Sequence, residues 1–213
     1  MKTDELILLL AADTTPVSAS AVGQRFAIAL GIGLPVAFVL MVITHGIRAD
    51  LLQATGELMF WMKLVFAGSL ALGGLIASQR LGRPGVPLGG VWAALVAPVL
   101  TLWLLASMVF VNAAPAQRSY LILGDTWATC AFSIALISLP LFATTLWALK
   151  GLAPTRLALA GAGAGLLSGA LGTLVYALHC PESAAPFVGI WYVLGIAIPT
   201  LAGAMVGPRL LLW

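Results

Sequence analysis

Inside an otherwise apolar sequence, the side chains with chemistry to offer are Cys130, Cys180, His45, His179 and Lys63. Cys180 follows His179 directly, and Glu182 comes two residues later. Two thiols whose Cα atoms come within about 7 Å form a disulfide where the compartment is oxidising. Together with an imidazole, Cys130, His179 and Cys180 would also make a soft-metal site. Left unpaired, both cysteines would be small buried hydrophobes. Three readings therefore stand for the pair: a redox- or metal-responsive site, a constitutive structural disulfide, or inert packing. The C-x-x-C of a membrane thiol oxidoreductase is missing, as are a Ser/His/Asp set and a His-Glu-x-x-His motif. The expectation is no catalytic residue, no enzyme and no cofactor beyond a transient soft metal ion acting as a signal.

The elements that must hold these residues follow from composition. Of 213 residues, 62% are hydrophobic and 8% charged, with mean hydropathy +1.10, against about 25% charged in a soluble globular domain. A soluble enzyme, a module contacting nucleic acid directly and a disordered chain are excluded, and lipid is the expected solvent. Uncharged runs of about 20 residues suffice to cross about 30 Å of hydrocarbon. Six such helices are expected, at 26 to 46, 58 to 79, 89 to 111, 127 to 149, 157 to 178 and 187 to 207. The runs show no two-residue alternation, so the fold class is all-α: a polytopic six-helix transmembrane bundle, residues 26–213, preceded by a 25-residue segment. That segment carries Asp4, Glu5 and Asp13 and does not read as a signal peptide. Six spans put both termini on one side with Lys2, Arg25, Arg80, Arg83, Lys150, Arg156 and Arg209, leaving Arg48 and Arg118 opposite. The positive-inside rule then makes both termini cytoplasmic, in a multi-pass bacterial inner-membrane protein whose two thiols face away from the cytoplasm.

Lys63 lies about five residues, or about 7 Å, inside the second helix. It is expected to snorkel to the interface or to pair with Glu57, Asp50 or Asp125. His45 reads as an interfacial polar residue. Gly161, Gly163, Gly165, Gly169 and Gly172 resemble a phosphate-cradling loop only superficially, because no strand precedes them and no Lys-Ser/Thr follows. Gly161, Gly165 and Gly169 recur every fourth residue and are expected to let another helix approach closely. Prolines 35, 98, 140 and 199 read as kinks tolerated by neighbouring helices.

The segment before the first span is the part free to meet a soluble partner. Thr3 can cap a helix with Asp4 and Glu5 in its first turn, and Leu6, Ile7, Leu9, Leu10 and Asp13 recur at helical spacing. About ten residues make a helix marginal alone in water. Acidic rather than basic, it suits the groove of a basic protein better than a bilayer surface, with docking back on this protein's own cytoplasmic face as the alternative. A small six-helix transporter or channel is the alternative, disfavoured by the scarcity of intramembrane charge.

Several residues, taken in order, carry a resemblance: Met1 to Ile7 with Leu9 to Asp13, Phe60-Trp61-Met62-Lys63, Cys130, Pro154-Thr155-Arg156, His179-Cys180-Pro181-Glu182, Trp191-Tyr192 and Gly207-Pro208-Arg209. Nearly end to end, the chain resembles the negative regulator of sigma F (NrsF) family. The resemblance implies a six-helix inner-membrane anti-sigma factor that holds an extracytoplasmic-function (ECF) sigma factor at the cytoplasmic face until envelope stress is sensed. The family's signal-linked cysteines would fall on Cys130 and Cys180, and its N-terminal segment on Thr3 to Asp13. The fourth and fifth helices carry the thiols and join at Pro154-Thr155-Arg156, which makes them the expected route from thiol event to sigma release.

Overall fold

A computed structural model describes residues 20–212 together with Thr3, Glu5 and Ile7. The helices are α1 Ala21–Thr44, α2 Leu51–Ala54, α3 Leu58–Leu81, α4 Val91–Asn112, α5 Pro115–Leu123, α6 Trp127–Lys150, α7 Leu157–Tyr176 and α8 Ala185–Phe187. The last of these runs through a π-helical turn, Val188–Tyr192, into α9 Val193–Leu210. Six helices are long and apolar enough to cross a membrane, with α8 to α9 counted as one. No strand occurs among the described residues. This is the architecture that hydrocarbon imposes, since each backbone polar group must find its partner within its own segment. Four buried hydroxyls follow the same rule by bonding back one turn: Ser138 to Ile134 O (2.6 Å), Thr145 to Leu141 O (2.6 Å), Ser168 to Ala164 O (2.7 Å) and Thr173 to Gly169 O (2.8 Å).

The core forms around α7, which is largely buried and packs against α3, α6 and α9. Its glycines set the distances. A Cβ on Gly161 would strike the Gly203 carbonyl, and one on Gly165 would strike the Pro199 carbonyl. One on Gly169 would lie 3.0 Å from the Ile196 Cα. The expected glycine face thus packs within the chain, against α9, backbone to backbone. A Cβ on Gly172 would strike Ser138 of α6, and one on Gly74 of α3 would lie 3.0 Å from the Leu167 backbone of α7. At the other extreme α4 is peripheral, with only Val91 and Leu102 buried among its residues. It is fastened near its middle by Trp103, whose Nε1 donates to Gly189 O (2.8 Å) in the π-helical turn.

Helix α5 occupies the stretch between the expected spans 89 to 111 and 127 to 149. Pro115 starts it at a position where the missing N–H costs nothing, and Arg118 donates to Val111 O and Ala113 O (both 3.2 Å), satisfying carbonyls at the end of α4. Chain alternation gives the bundle two unlike ends. Arg25, Arg80, Arg83, Lys150, Arg156 and Arg209 collect at the starts of α1, α4 and α7 and the ends of α3, α6 and α9. The opposite end holds Lys63, Cys130 and Cys180, along with Asp50, Glu57, Asp125 and Glu182.

Candidate functional site

Local sequence explains how Cys180 reaches its place. Helix α7 ends at Tyr176, and the chain tightens so that Cys180 N still reaches Tyr176 O (3.0 Å). Pro181 forbids a further helical turn and drives the residue before it into an extended conformation. The Cys180 carbonyl is thereby released from the helix, and two cations take it: Lys63 Nζ at 2.9 Å and Arg48 Nη1 at 3.3 Å. Lys63 Nζ also donates to Glu182 O (3.2 Å) and lies 5.4 Å from the Phe60 ring centroid.

Lys63 is only 2% exposed, which corrects the expectation that it snorkels. It also does not pair with Glu57, Asp50 or Asp125. The one ion pair among the described residues joins Arg48 to Asp50, closed by bonds of 2.7 and 2.6 Å. Those bonds pull the Asp50 carboxyl down to about 2. The physical reason is proximity: the released carbonyls of the 180–182 turn lie closer to Lys63 than any carboxylate, and bonds from a charged donor are each worth about 1.5–3 kcal/mol.

Cys130 stands one turn into α6, its N–H on Thr126 O (3.0 Å). Both thiols are free and fully buried, and their side chains meet. Hydrogen bonding from Cys130 pulls the Cys180 thiol below its ordinary value, aided by Tyr192, the Lys63 charge and the Glu182 backbone N–H, and opposed by burial. The Tyr192 hydroxyl acts here across a gap, since it is buried without a formed hydrogen bond. Cys180 is therefore the member of the pair that favours the thiolate, the nucleophilic form.

Beside the thiols lies an imidazole pair. Gly46, at φ +77°, ends α1 in the left-handed conformation and turns the chain over the site. The rings of His45 and His179 are 5.1 Å apart, and that of Tyr176 lies 5.9 and 5.7 Å from them. His179 Nδ1 is 3.0 Å from Gly46 O, and because a carbonyl only accepts, that nitrogen carries the proton. Thr44 gives its hydroxyl proton to Leu40 O (2.7 Å), so His45 Nδ1 must donate to Thr44 Oγ1 (2.6 Å). Neutral His45 then accepts at Nε2 from Ser133 Oγ (2.8 Å). Burial first, and His179 second, lower the His45 pKa and favour that neutral form.

The three-ligand set Cys130, His179 and Cys180 is not assembled. No group of three His, Cys, Asp or Glu among the described residues is arranged to hold a metal. His179 is turned to Gly46, and Glu182 accepts from the Asp125 N–H (2.8 Å) while covering Gly124, where a Cβ would fall 2.6 Å from its carboxyl carbon. What the arrangement offers is two-thiol chemistry on a loop clamped by cations.

The family model described as "Negative regulator of sigma F" (NrsF) matches residues 10–213. The chain belongs to this family. A "Probable anti-sigma-F factor NrsF" from Azospira oryzae is 47% identical over 213 residues, covering all of both chains. An "Anti-sigma-F factor NrsF" from Caulobacter vibrioides is 38% identical over 215 residues, again covering all of both. No solved structure matches.

In this NrsF-family chain, Thr3 and Ile7 of the expected partner-binding segment are helical and exposed. Asp4, Leu6, Leu9, Leu10 and Asp13 lie outside the described residues. Arg48, Tyr176, Tyr192 and Ser133 join the site, although the sequence reading named Arg48 only for its charge and Tyr192 only for the family resemblance, and the other two not at all. A tyrosine in an apolar run needs a partner for its hydroxyl, which was the available signal for Tyr176 and Tyr192. Nothing local marked Arg48 or Ser133.

Proposed function

We propose that this chain is a membrane-bound anti-sigma factor of the bacterial inner membrane. Its basic end faces the cytoplasm, and the 1–25 segment holds an ECF sigma factor there through Thr3, Asp4, Leu6, Ile7, Leu9, Leu10 and Asp13. The observation that carries the reading is full-length identity to two proteins named as anti-sigma-F factors. Cation placement supports the orientation, by the positive-inside rule.

In the same reading, Cys130 and Cys180 are the stress-responsive element. Cys180, as thiolate, attacks a thiol-active oxidant, and Cys130 then attacks the modified Cys180 sulphur, expelling the oxidant-derived group, to close a disulfide. Two electrons pass to the oxidant, and the two thiol protons leave with its reduced form or to water. A soft metal ion taken by the two sulphurs would act on the same loop. Either event moves the 180–182 turn, and with it the bonds from Lys63 of α3 and Arg48.

The test is co-expression of the full chain with the sigma-F homologue of its host, followed by detergent extraction and affinity purification. Retention of the sigma factor, lost on deleting residues 1 to 15, is the expected result. Retention after that deletion moves the binding surface to the basic-end loops, and no retention by the full chain refutes the function. For the thiols, Cys130→Ser with Cys180→Ser is expected to leave sigma sequestered under oxidant or cadmium, and unchanged induction refutes that part.

A further inference from the structure

The lipid-facing flank of α3 carries two hollows that the thiol site does not use. Toward the thiol end an apolar cleft of about 610 Å³ opens between α3 and α4, with Val65 and Ser69 on one wall and Ala94, Ala97 and Pro98 on the other. Small residues on α4 make the hollow. At the basic end a polar cleft of about 400 Å³ is lined by Gln79, Arg80 and Arg83, with Ile76 as its apolar wall. Arg83 also lines an adjoining recess of about 150 Å³ opposite Arg156. Among the described residues, no acidic side chain lines any of the three.

The hollows share a face. Ile76 follows Ser69 by close to two helical turns and Val65 by close to three, at 3.6 residues per turn, so both lie within about 20° of Ile76, on a stripe about 40° wide. Leu72 and Ile76, between the hollows, present apolar surface to lipid, Leu72 at 59% exposure. From Arg80 to Ser69 the helix rises about 16 Å, close to the roughly 15 Å half-thickness of a hydrocarbon core. A positive pocket at the headgroup level, continued by an apolar track one leaflet long into a groove, has the dimensions and polarity of one lipid. Basic pockets between spans are recognised sites for anionic headgroups.

We propose that this flank binds one anionic phospholipid from the leaflet at the basic end. Its phosphate lies between Arg83 and Arg156, and one acyl chain runs over Ile76 and Leu72 into the near part of the α3–α4 cleft. Arg80 backs the pocket while holding the following loop through Leu88 O (2.7 Å), and so is left intact in the test. This inference is independent of sigma binding and of the thiols.

Native mass spectrometry of the detergent-solubilised full chain tests it, with phosphatidylglycerol and phosphatidylcholine of identical acyl chains offered in equal amounts. Phosphatidylglycerol is expected to be retained at least about tenfold better, since each basic residue near a headgroup contributes appreciably. Arg83→Gln with Arg156→Gln brings the preference to near parity. Arg83→Lys with Arg156→Lys keeps most of it, which separates lost charge from lost fold. Lys150→Gln with Arg209→Gln removes equal charge elsewhere at that end and leaves the preference unchanged. Glycerol phosphate in hundredfold excess does not displace the lipid, because the headgroup alone lacks the apolar track. Parity in the parent chain, a preference that survives Arg83→Gln/Arg156→Gln, or displacement by free glycerol phosphate overturns the proposal. So does displacement by an equimolar peptide of residues 1–15, which would assign the pocket to an acidic protein segment.

Discussion

Replacing Lys63 by Met tests whether that ammonium clamps the thiol-bearing turn. The substitution keeps an unbranched apolar stem and removes both bonds from Nζ. Cys180 O keeps its bond from Arg48 at 3.3 Å, whereas Glu182 O, bonded to Lys63 at 3.2 Å, is left without that donor. A fully buried orphaned carbonyl costs about 1–3 kcal/mol, and Glu182 O is part-buried. Losing the buried charge removes a desolvation penalty as well, so the lower part of that range is the working figure, or about 5- to 30-fold in an opening equilibrium. Both thiols are 0% exposed, so a maleimide reaches them only when the turn opens, and the labelling rate is the opening equilibrium multiplied by the reactivity of the open state. In the open state Cys180 has already left Lys63, so the missing cation does not slow that second factor. The assay is the labelling rate of Cys180 in a Cys130→Ser background, in native membranes, by mass shift. Lys63→Met is expected to label about 5- to 30-fold faster. A rate equal to or below the parent's, with an unchanged melting profile, refutes the clamp.

Arg48 and Lys63 share the Cys180 carbonyl, so Arg48→Met and Lys63→Met should be non-additive, with a coupling of about 0.5–3 kcal/mol in a double-mutant cycle read by the same labelling; additive effects would mean the two cations act separately. Because the folded pKa of His45 is lowered, the folded state binds fewer protons than the unfolded. Its stability is therefore intact above the ordinary histidine value of about 6.5 and declines as pH falls below it. The melting midpoint should fall between about pH 7.5 and 5.5, with His45→Gln flattening the fall, and a profile that the substitution leaves unaltered contradicts the neutral assignment. Gly165→Ala drives a Cβ onto the Pro199 carbonyl and should cost about 1–3 kcal/mol, or roughly 2–4 °C of Tm per kcal/mol. Gly68→Ala, with nothing within 4 Å of the added Cβ, should be neutral or stabilising, and equal losses at both positions would remove the glycine seam from the account.

The spans were legible because hydrocarbon thickness and backbone satisfaction leave one solution, and the helix ends fall within a few residues of those expected. The glycine face was legible by its spacing, though the identity of its partner, α9, was not, since a four-residue repeat says how close a helix comes and not which one. That the thiols share an end followed from counting crossings. Lys63 shows where such counting stops. A lysine in an apolar run advertises a need for acceptors, and sequence reasoning supplies carboxylates because those carry names. The acceptors used are carbonyls released by Pro181, and a proline's effect on the residue before it has no long-range address. The pairing of His45 with Ser133 and the helical form of 115–123 were hidden likewise, the one by distance along the chain and the other by a short polar stretch whose proline reads equally as loop.

The joints around the thiols differ in kind, and that difference decides what a change there can move. Between α7 and α9 the contacts are backbone on backbone at Gly161, Gly165 and Gly203, so no side chain can change rotamer to let the helices slide, and the two must shift together. The turn carrying Cys180 is held otherwise, by long cationic side chains from α3 and from the Gly46–Arg48 segment, by Cys130 of α6 and by Glu182 over Gly124. Those bonds can break one at a time as stems swing. A thiol event that draws Cys180 toward Cys130 therefore strains the bond from Lys63 before it disturbs the α7–α9 seam. In the proposed scheme that strain falls on α3, whose far end carries Arg80 and, just beyond it, Arg83, at the basic face. The expected route through α6 and α7 alone would have to deform a seam with no slack, whereas the bond from Lys63 reaches α3 directly, and α3 in turn sits closely on α7 at Gly74.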